Sequence, residues 1–257
     1  MPQHDPIRCF DGNDQPHQPF WRWVNTGDIP TMELDGVISQ YSWMDDDITP
    51  KIFKDQLYEN GKGGPVLVKI NSPGGDVIAA SKMRAIMTEY PGEITTRVEG
   101  VAASAAVMVA ISGNTVQIAD ASYMMIHDPA VVVFMAALDI DTLTSLRDNL
   151  RTIKDGIVPA YAQNTGMSEG IISNMMSRET WMSAREAVDM HFADEIVSGA
   201  KSAKTSLQNI AYINTLKFIN IPSDLLSSEA EPVVVSVLSE QEKHEAQSLR
   251  DYIELLK

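Results

Sequence analysis

Apolar residues in this chain fall into short runs that switch between the two-residue period of strands and the three-to-four-residue period of helices. Thr31-Met-Glu-Leu-Asp-Gly-Val-Ile-Ser39 reads as a strand, and Ile52, Phe53, Leu57 and Tyr58 have helical spacing between Thr49 and Asn60. Gly61-Lys-Gly-Gly-Pro65 ends that helix. Pro65 to Asn71 is a β-branched run of the length a buried strand prefers, cut off by Ser72-Pro-Gly-Gly75. Val77, Ala80, Met83, Ile86 and Met87 then predict a helix up to Tyr90.

A second unit follows the same plan. Ile94 to Glu99 predicts a strand, Gly100 a turn, and Val101 to Ile111 a helix of unusually small residues; Thr115–Ala119 and Tyr123–Ile126 predict two further strands. Leu138, Ile140, Leu143, Leu146, Leu150, Ile153 and Ile157 mark a long helix from Asp139 to about Gln163. Ser168 to Ser177 predicts a short helix. Ser183-Ala-Arg-Glu186 has the form of a capping box that opens another, running to about Met190. Strands alternating with helices predict an α/β domain. Residues 1–24, with four prolines and no sustained period, read as an N-terminal arm; 25–199 read as the folded domain; 200–257 read as a linker ending in an amphipathic helix.

Composition narrows the function classes. A formal charge of −15 opposes binding to a phosphate backbone, so nucleic acid is not an expected partner. No apolar run has the length of a membrane span, and the first residues lack the basic start and apolar stretch of a secretory leader, which points to a cytoplasmic protein. Cys9 is the only cysteine, so neither an intrachain disulfide nor a cysteine-based zinc set is available.

Three stretches could carry chemistry. Ser104 lies among Val101, Ala102, Ala103, Ala105 and Ala106, where a strand and turn give way to a helix, and small neighbours leave room for a substrate carbonyl. Ala102 and Ala106 stand where the nucleophile elbow of α/β-hydrolases has glycines, so it is not that motif. Gly74 and Gly75 end a strand, where backbone N–H groups without an intervening side chain can supply half an oxyanion hole. His127 follows the strand Met124-Met-Ile126, at an end where loops build sites. Taken singly, each reads as ordinary structure; in this order, together, they form a specific pattern. His4, His17, His191 and His244 read as structural or solvated.

With INSPGGD at 70–76, GVAASAA at 100–106, MMIHDP at 124–129 and the stretch from Trp181 to Val197, the sequence resembles the ClpP family of serine peptidases, within the ClpP/crotonase superfamily. The resemblance spans about Thr26 to Ser198. It implies a ClpP/crotonase-like spiral of β-β-α units with a long handle helix, assembled into rings around the active sites, with no metal or organic cofactor. Ser104 matches the nucleophile, His127 the general base, and the backbone N–H groups of Gly75 and Ala105 the oxyanion hole. Where the family pattern has an aspartate, this chain has Glu179; the extra methylene demands a different approach to the imidazole, and Thr180 is the alternative orienting residue.

The Glu179-Thr-Trp-Met-Ser-Ala-Arg-Glu-Ala-Val188 wording, the arm and the tail look most like the ClpP-like head maturation proteases of tailed bacteriophages. That resemblance implies scaffold or capsid segments as substrates, cut inside proheads in the bacterial host. A housekeeping ClpP subunit working with an AAA+ ATPase is the alternative. Two readings of other classes stay open: a crotonase-type acyl-CoA enzyme, and a catalytically silent ring or scaffold protein. Signal peptide peptidase A, which pairs serine with lysine, fits less well because His127 completes the pattern.

Overall fold

A computed structural model describes residues 21–24, 29–40, 49–131, 133, 137–198 and 220–222. After β1 (Trp21–Val24) and β2 (Thr31–Asp35) comes α1 (Pro50–Gly61). Thr49 sets the start of α1, its hydroxyl accepting from the Ile52 N–H, and Pro50 takes the first helical position, where no N–H is missed. β3 (Val66–Ser72), α2 (Val77–Glu89) and β4 (Ile94–Ala103) form a strand–helix–strand unit in which the Asp76 side chain caps α2 by accepting from the Ala79 N–H. Then follow α3 (Ala105–Ala110), β5 (Thr115–Ala119), β6 (Tyr123–Ile126), the 26-residue α4 (Ile140–Thr165), α5 (Glu169–Ser177), β7 (Thr180–Ser183), α6 (Ala184–Asp189) and β8 (Glu195–Val197). The capping box at Ser183 and Glu186 forms in both directions, as expected.

Parallel pairing links β2, β3, β4, β5 and β8 in that order, and β1 closes one edge antiparallel. One face of this sheet carries Met32, Val68, Ile70, Val98 and Ile118, which join Phe53 of α1 and Met83 of α2 in a single core. The other face is charged. Lys69 Nζ lies 3.2 Å from Glu99 and 3.6 Å from Glu33, and Arg97 lies 3.8 Å from Glu99. Among the described residues β3 is therefore covered by helices on one side, with Leu67 and Lys69 half-buried between buried Val66, Val68 and Ile70; a run that looked buried on both faces alternates instead.

β4 is the longest strand because it serves two partners. Thr95–Val98 pairs with β5, whereas Val101–Ala103 pairs with β6, and β6 in turn pairs antiparallel with β7. Gly100, at φ 110°, sits at the change of partner, a conformation that side chains disfavour. The Gly100 N–H donates to Ser122 Oγ at 2.8 Å and the Val101 N–H to Asn71 Oδ1 at 3.3 Å, so buried side chains satisfy the donors freed there. Here the sequence reading is corrected: the helix expected from Val101 begins at Ala105. Alanine favours helix, but parallel pairing with β6 keeps Val101–Ala103 extended, a case of tertiary contact outweighing local propensity.

Three smaller differences concern the chain's edges. Residues 21–24, placed in an irregular arm, are an edge strand, and the rest of that arm lies outside the described residues. Asn220, Ile221 and Pro222 are described within the expected linker; the predicted terminal helix is not. α4 matches its predicted span, but its apolar face is buried only toward the C-terminal end, at Ile157, Val158 and Tyr161, while Ile140 is 81% and Leu143 51% exposed. Among the described residues no helix is long and apolar enough to cross a membrane.

Met124 is fully buried between the neighbours of β6. Met124→Ala is expected to cost about 2–5 kcal/mol through the lost transfer energy and the cavity left behind, read as a lower urea midpoint.

Candidate active site

Two parallel strand ends bring the first two groups together. Because Ala103 of β4 pairs with Met125 of β6, the residues that follow each strand emerge side by side. The Ser104 N–H donates to the Met125 carbonyl at 2.7 Å, and two residues beyond Met125 the His127 imidazole places Nε2 at 2.8 Å from Ser104 Oγ. Ser104 itself has φ 54° and ψ −125°, a backbone state that costs a side-chain-bearing residue about 1–3 kcal/mol and recurs at functional sites. It lifts the hydroxyl out of the line of both β4 and α3. Tyr161, near the buried end of α4, holds the other side of this residue by donating from its hydroxyl to the Ser104 carbonyl at 3.4 Å.

The glycine turn presses against this corner. Ser72 Oγ donates to the Gly36 carbonyl at 2.5 Å and accepts from the Gly74 N–H at 3.1 Å, fixing the start of the turn. Ile38 then bridges it: its N–H donates to the Gly74 carbonyl and its carbonyl accepts from the Asp76 N–H, both at 2.8 Å. Main-chain groups alternate sides along an extended segment, so the Gly75 N–H faces away from Ile38. Ala105 is the first residue of α3, where an N–H has no intrahelical acceptor. A Cβ on Gly74, at φ 97°, would lie 2.8 Å from Ser104 Cβ and 3.0 Å from the Ala105 nitrogen; one on Gly75 would overlap the Ile38 carbonyl. Neither position has room for a side chain.

Glu179 is the third group. β7 pairs antiparallel with β6 so that Thr180 lies opposite Ile126, and one step further along that register sets Glu179 beside His127. The residue is 9% exposed and occupies the left-handed region at φ 50°, where its N–H donates to the Met176 carbonyl at 3.0 Å. Its Oε1 accepts from Trp181 Nε1 at 3.2 Å and from the Asn220 N–H at 2.9 Å. Thr180, the other orienting residue considered, donates its hydroxyl proton to the Met175 carbonyl at 2.7 Å and so serves the end of α5.

Electrostatics at the imidazole are a contest. Burial is the largest influence on His127 and pushes its pKa below the ordinary 6.5; the carboxylates of Glu179 and Asp128 pull it back up without overcoming that cost. Asp128 is itself engaged, by Lys154 Nζ at 2.6 Å and by the Ser177 hydroxyl at 3.0 Å. Lys154, Tyr161 and Asn220 bear on the site from more than twenty residues away in sequence, and no local pattern marks them.

The site therefore joins Ser104, His127 and Glu179 on an α/β sheet, next to a glycine turn. The Clp protease family matches residues 30–200, and the chain belongs to it, as a ClpP-like serine peptidase. It is 32% identical over 137 residues to an ATP-dependent Clp protease proteolytic subunit 1 of Chlamydia abortus, covering 52% of this chain and 71% of the relative. To the subunit of the same description from Protochlamydia amoebophila it is 26% identical over 162 residues, 62% of this chain and 77% of the relative. A solved ClpP1 point mutant from Listeria monocytogenes superposes with a TM-score of 0.57 at 22% identity, covering 67% of this chain and 93% of that one, which establishes the fold.

Gly74→Ala is expected to slow modification of Ser104 by a fluorophosphonate probe about tenfold or more, since a displacement on the scale of an ångström at a reacting centre has effects of that order. Retained labelling kinetics in the folded variant would contradict the packing described.

Proposed function

We propose that the chain is an endopeptidase that works through an acyl-enzyme, with Ser104 as nucleophile, His127 as general base and then general acid, and Glu179 orienting the imidazole. The observation that carries this reading is the 2.8 Å contact between Ser104 Oγ and His127 Nε2. As Oγ attacks a peptide carbonyl, His127 takes its proton; the imidazolium that forms is stabilised by the nearby carboxylate. The oxyanion is received by the Gly75 and Ala105 N–H groups, whose removal singly would cost about 3–4 kcal/mol in the transition state. His127 returns the proton to the leaving amine, and water then releases the acyl group by the same route in reverse.

Substrates in this reading are extended segments that lie alongside the Gly75 turn as an added strand, so folded proteins resist cleavage. Copies of the chain assemble into a ring, a reading supported by the family and by exposed Ile140 and Leu143 on α4. The biological role proposed is head maturation of a tailed phage, in the bacterial host cytoplasm and inside proheads, with capsid or scaffold segments as substrates. Its support is the wording from Glu179 to Val188 and the segments that flank the family match at 30–200. A second reading, a proteolytic subunit fed by an ATPase, is favoured by the descriptions of the Chlamydia and Protochlamydia relatives. Co-expression with a capsid protein, without any ATPase, separates the two: processing supports the first, and processing only when a Clp ATPase is added supports the second.

Ser104→Ala is expected to abolish both self-processing and probe labelling, read from the intact mass of the chain beside wild type; an unchanged mass pattern with retained labelling would remove the peptidase assignment.

The acid limb of kcat/KM should lie below pH 6.5, because the base must be neutral and burial favours its neutral form. Glu179→Gln removes a charge that raises the His127 pKa, so the limb should move to still lower pH while kcat falls about 10²–10⁴-fold. A limb that moves upward would contradict the charge arrangement.

A further inference from the structure

Asn220 lies outside the residues matched by the Clp protease family, which end at 200, yet it touches the candidate active site. Its main-chain N–H donates to Glu179 Oε1 at 2.9 Å, and its side-chain amide donates to the Arg178 carbonyl at 3.0 Å and the Glu179 carbonyl at 3.4 Å. The next residue, Ile221, packs on Val101, Ala103 and Met125, the strand ends from which Ser104 and His127 emerge, together with Trp181. The segment is thus tied down by a side chain that donates to the carbonyls of the peptides before and after Glu179 and by an apolar contact with the floor of the site.

The chemistry explains why such a tie is useful here. Glutamate has one more rotatable bond than the aspartate of the family pattern, and a carboxylate that orients an imidazole must keep its plane fixed. Two N–H donors on the same oxygen, from Trp181 and Asn220, fix that terminal torsion. The αL backbone of Glu179 adds a second demand, since its peptide must be held in a state that costs energy. Asn220 meets both: its N–H holds the carboxylate and its amide holds the peptide.

We propose that Asn220–Pro222 is a working part of the catalytic centre, with Asn220 the positioning residue that keeps the Glu179 carboxylate against His127. The proposal rests on the peptidase reading above. It makes the segment beyond the family domain a requirement for full activity, so that displacing it loosens Glu179 without touching Ser104 or His127.

The test uses the full chain. Asn220→Pro removes both the N–H that reaches Glu179 and the amide anchors; Asn220→Ala removes the amide anchors and keeps the N–H. For each folded variant the rate of fluorophosphonate labelling at Ser104 is followed against pH, and the His127 imidazole is titrated by NMR. The charges acting on that ring are Glu179 and Asp128, with Lys154 paired to Asp128. The expected result for Asn220→Pro is a labelling rate about tenfold lower, with the acid limb and the imidazole titration both moved to lower pH as the raising carboxylate withdraws. In a Glu179→Gln background the same substitution should change neither, because the group it positions is already neutralised. Merely structural loosening would lower the rate without moving the titration. If Asn220→Pro is folded and keeps the wild-type rate and titration, the proposal is overturned; should it not fold, Asn220→Ala decides on the same two readouts. Failure of the peptidase reading looks different, since wild type itself would then not label at Ser104.

Discussion

Three residues of parallel pairing, Val101 to Ala103 against Tyr123 to Met125, determine where the chemistry occurs. Parallel strands end on the same side of a sheet, so pairing these two segments in register delivers the chain after each to one place. The hydrogen bond from the Ser104 N–H to the Met125 carbonyl is the last rung of that ladder. β4 can make the pairing only because it leaves β5 at Gly100 and because Asn71 and Ser122 accept the donors stranded by the change. A polar residue that looks incidental in the strand-end motif, Asn71, thus supports the corner from below.

Much of this was legible in the residues. Helix starts at Thr49, Asp76, Ser168 and Ser183 follow from short polar side chains before periodic apolar runs, and each caps as that chemistry dictates. Ser104 and His127 stood out only together with the glycine turn, because the order of the three stretches is specific where each alone is ordinary. What could not be read was decided by contacts distant in sequence. The extended state of Val101–Ala103 depends on a strand twenty residues later, and the helical preference of alanine pointed the wrong way. β7 is only four residues long, and its partner β6 supplies the reason it is a strand at all. Tyr161, Lys154 and Asn220 contribute through hydrogen bonds and ion pairs to residues distant in sequence, which leave no periodicity to detect.

Strain is concentrated at the same few residues as function. Among the described residues, positive φ at residues other than glycine occurs at Lys62, Ser104, Glu179 and His191, and two of these four meet at the His127 ring. A serine whose backbone is forced out of both strand and helix, and a glutamate placed where asparagine or glycine would be at ease, are stable only because neighbouring contacts over-determine them. The glycine turn is the counterpart: it places flexible residues where another backbone must pass at van der Waals distance.

α4 touches Ser104 and the neighbour of His127. Tyr161 holds the Ser104 carbonyl, and two turns earlier Lys154 holds Asp128, the residue next to His127. Pro159 lies between these two attachments and has no N–H for the helix ladder, so the helix is tied to the site on both sides of a missing rung. Its long arm, from Ile140 onward, extends into solvent. The stretch after Pro159 thus anchors Ser104 and the stretch before it anchors Asp128, two separate moorings of one helix at one corner.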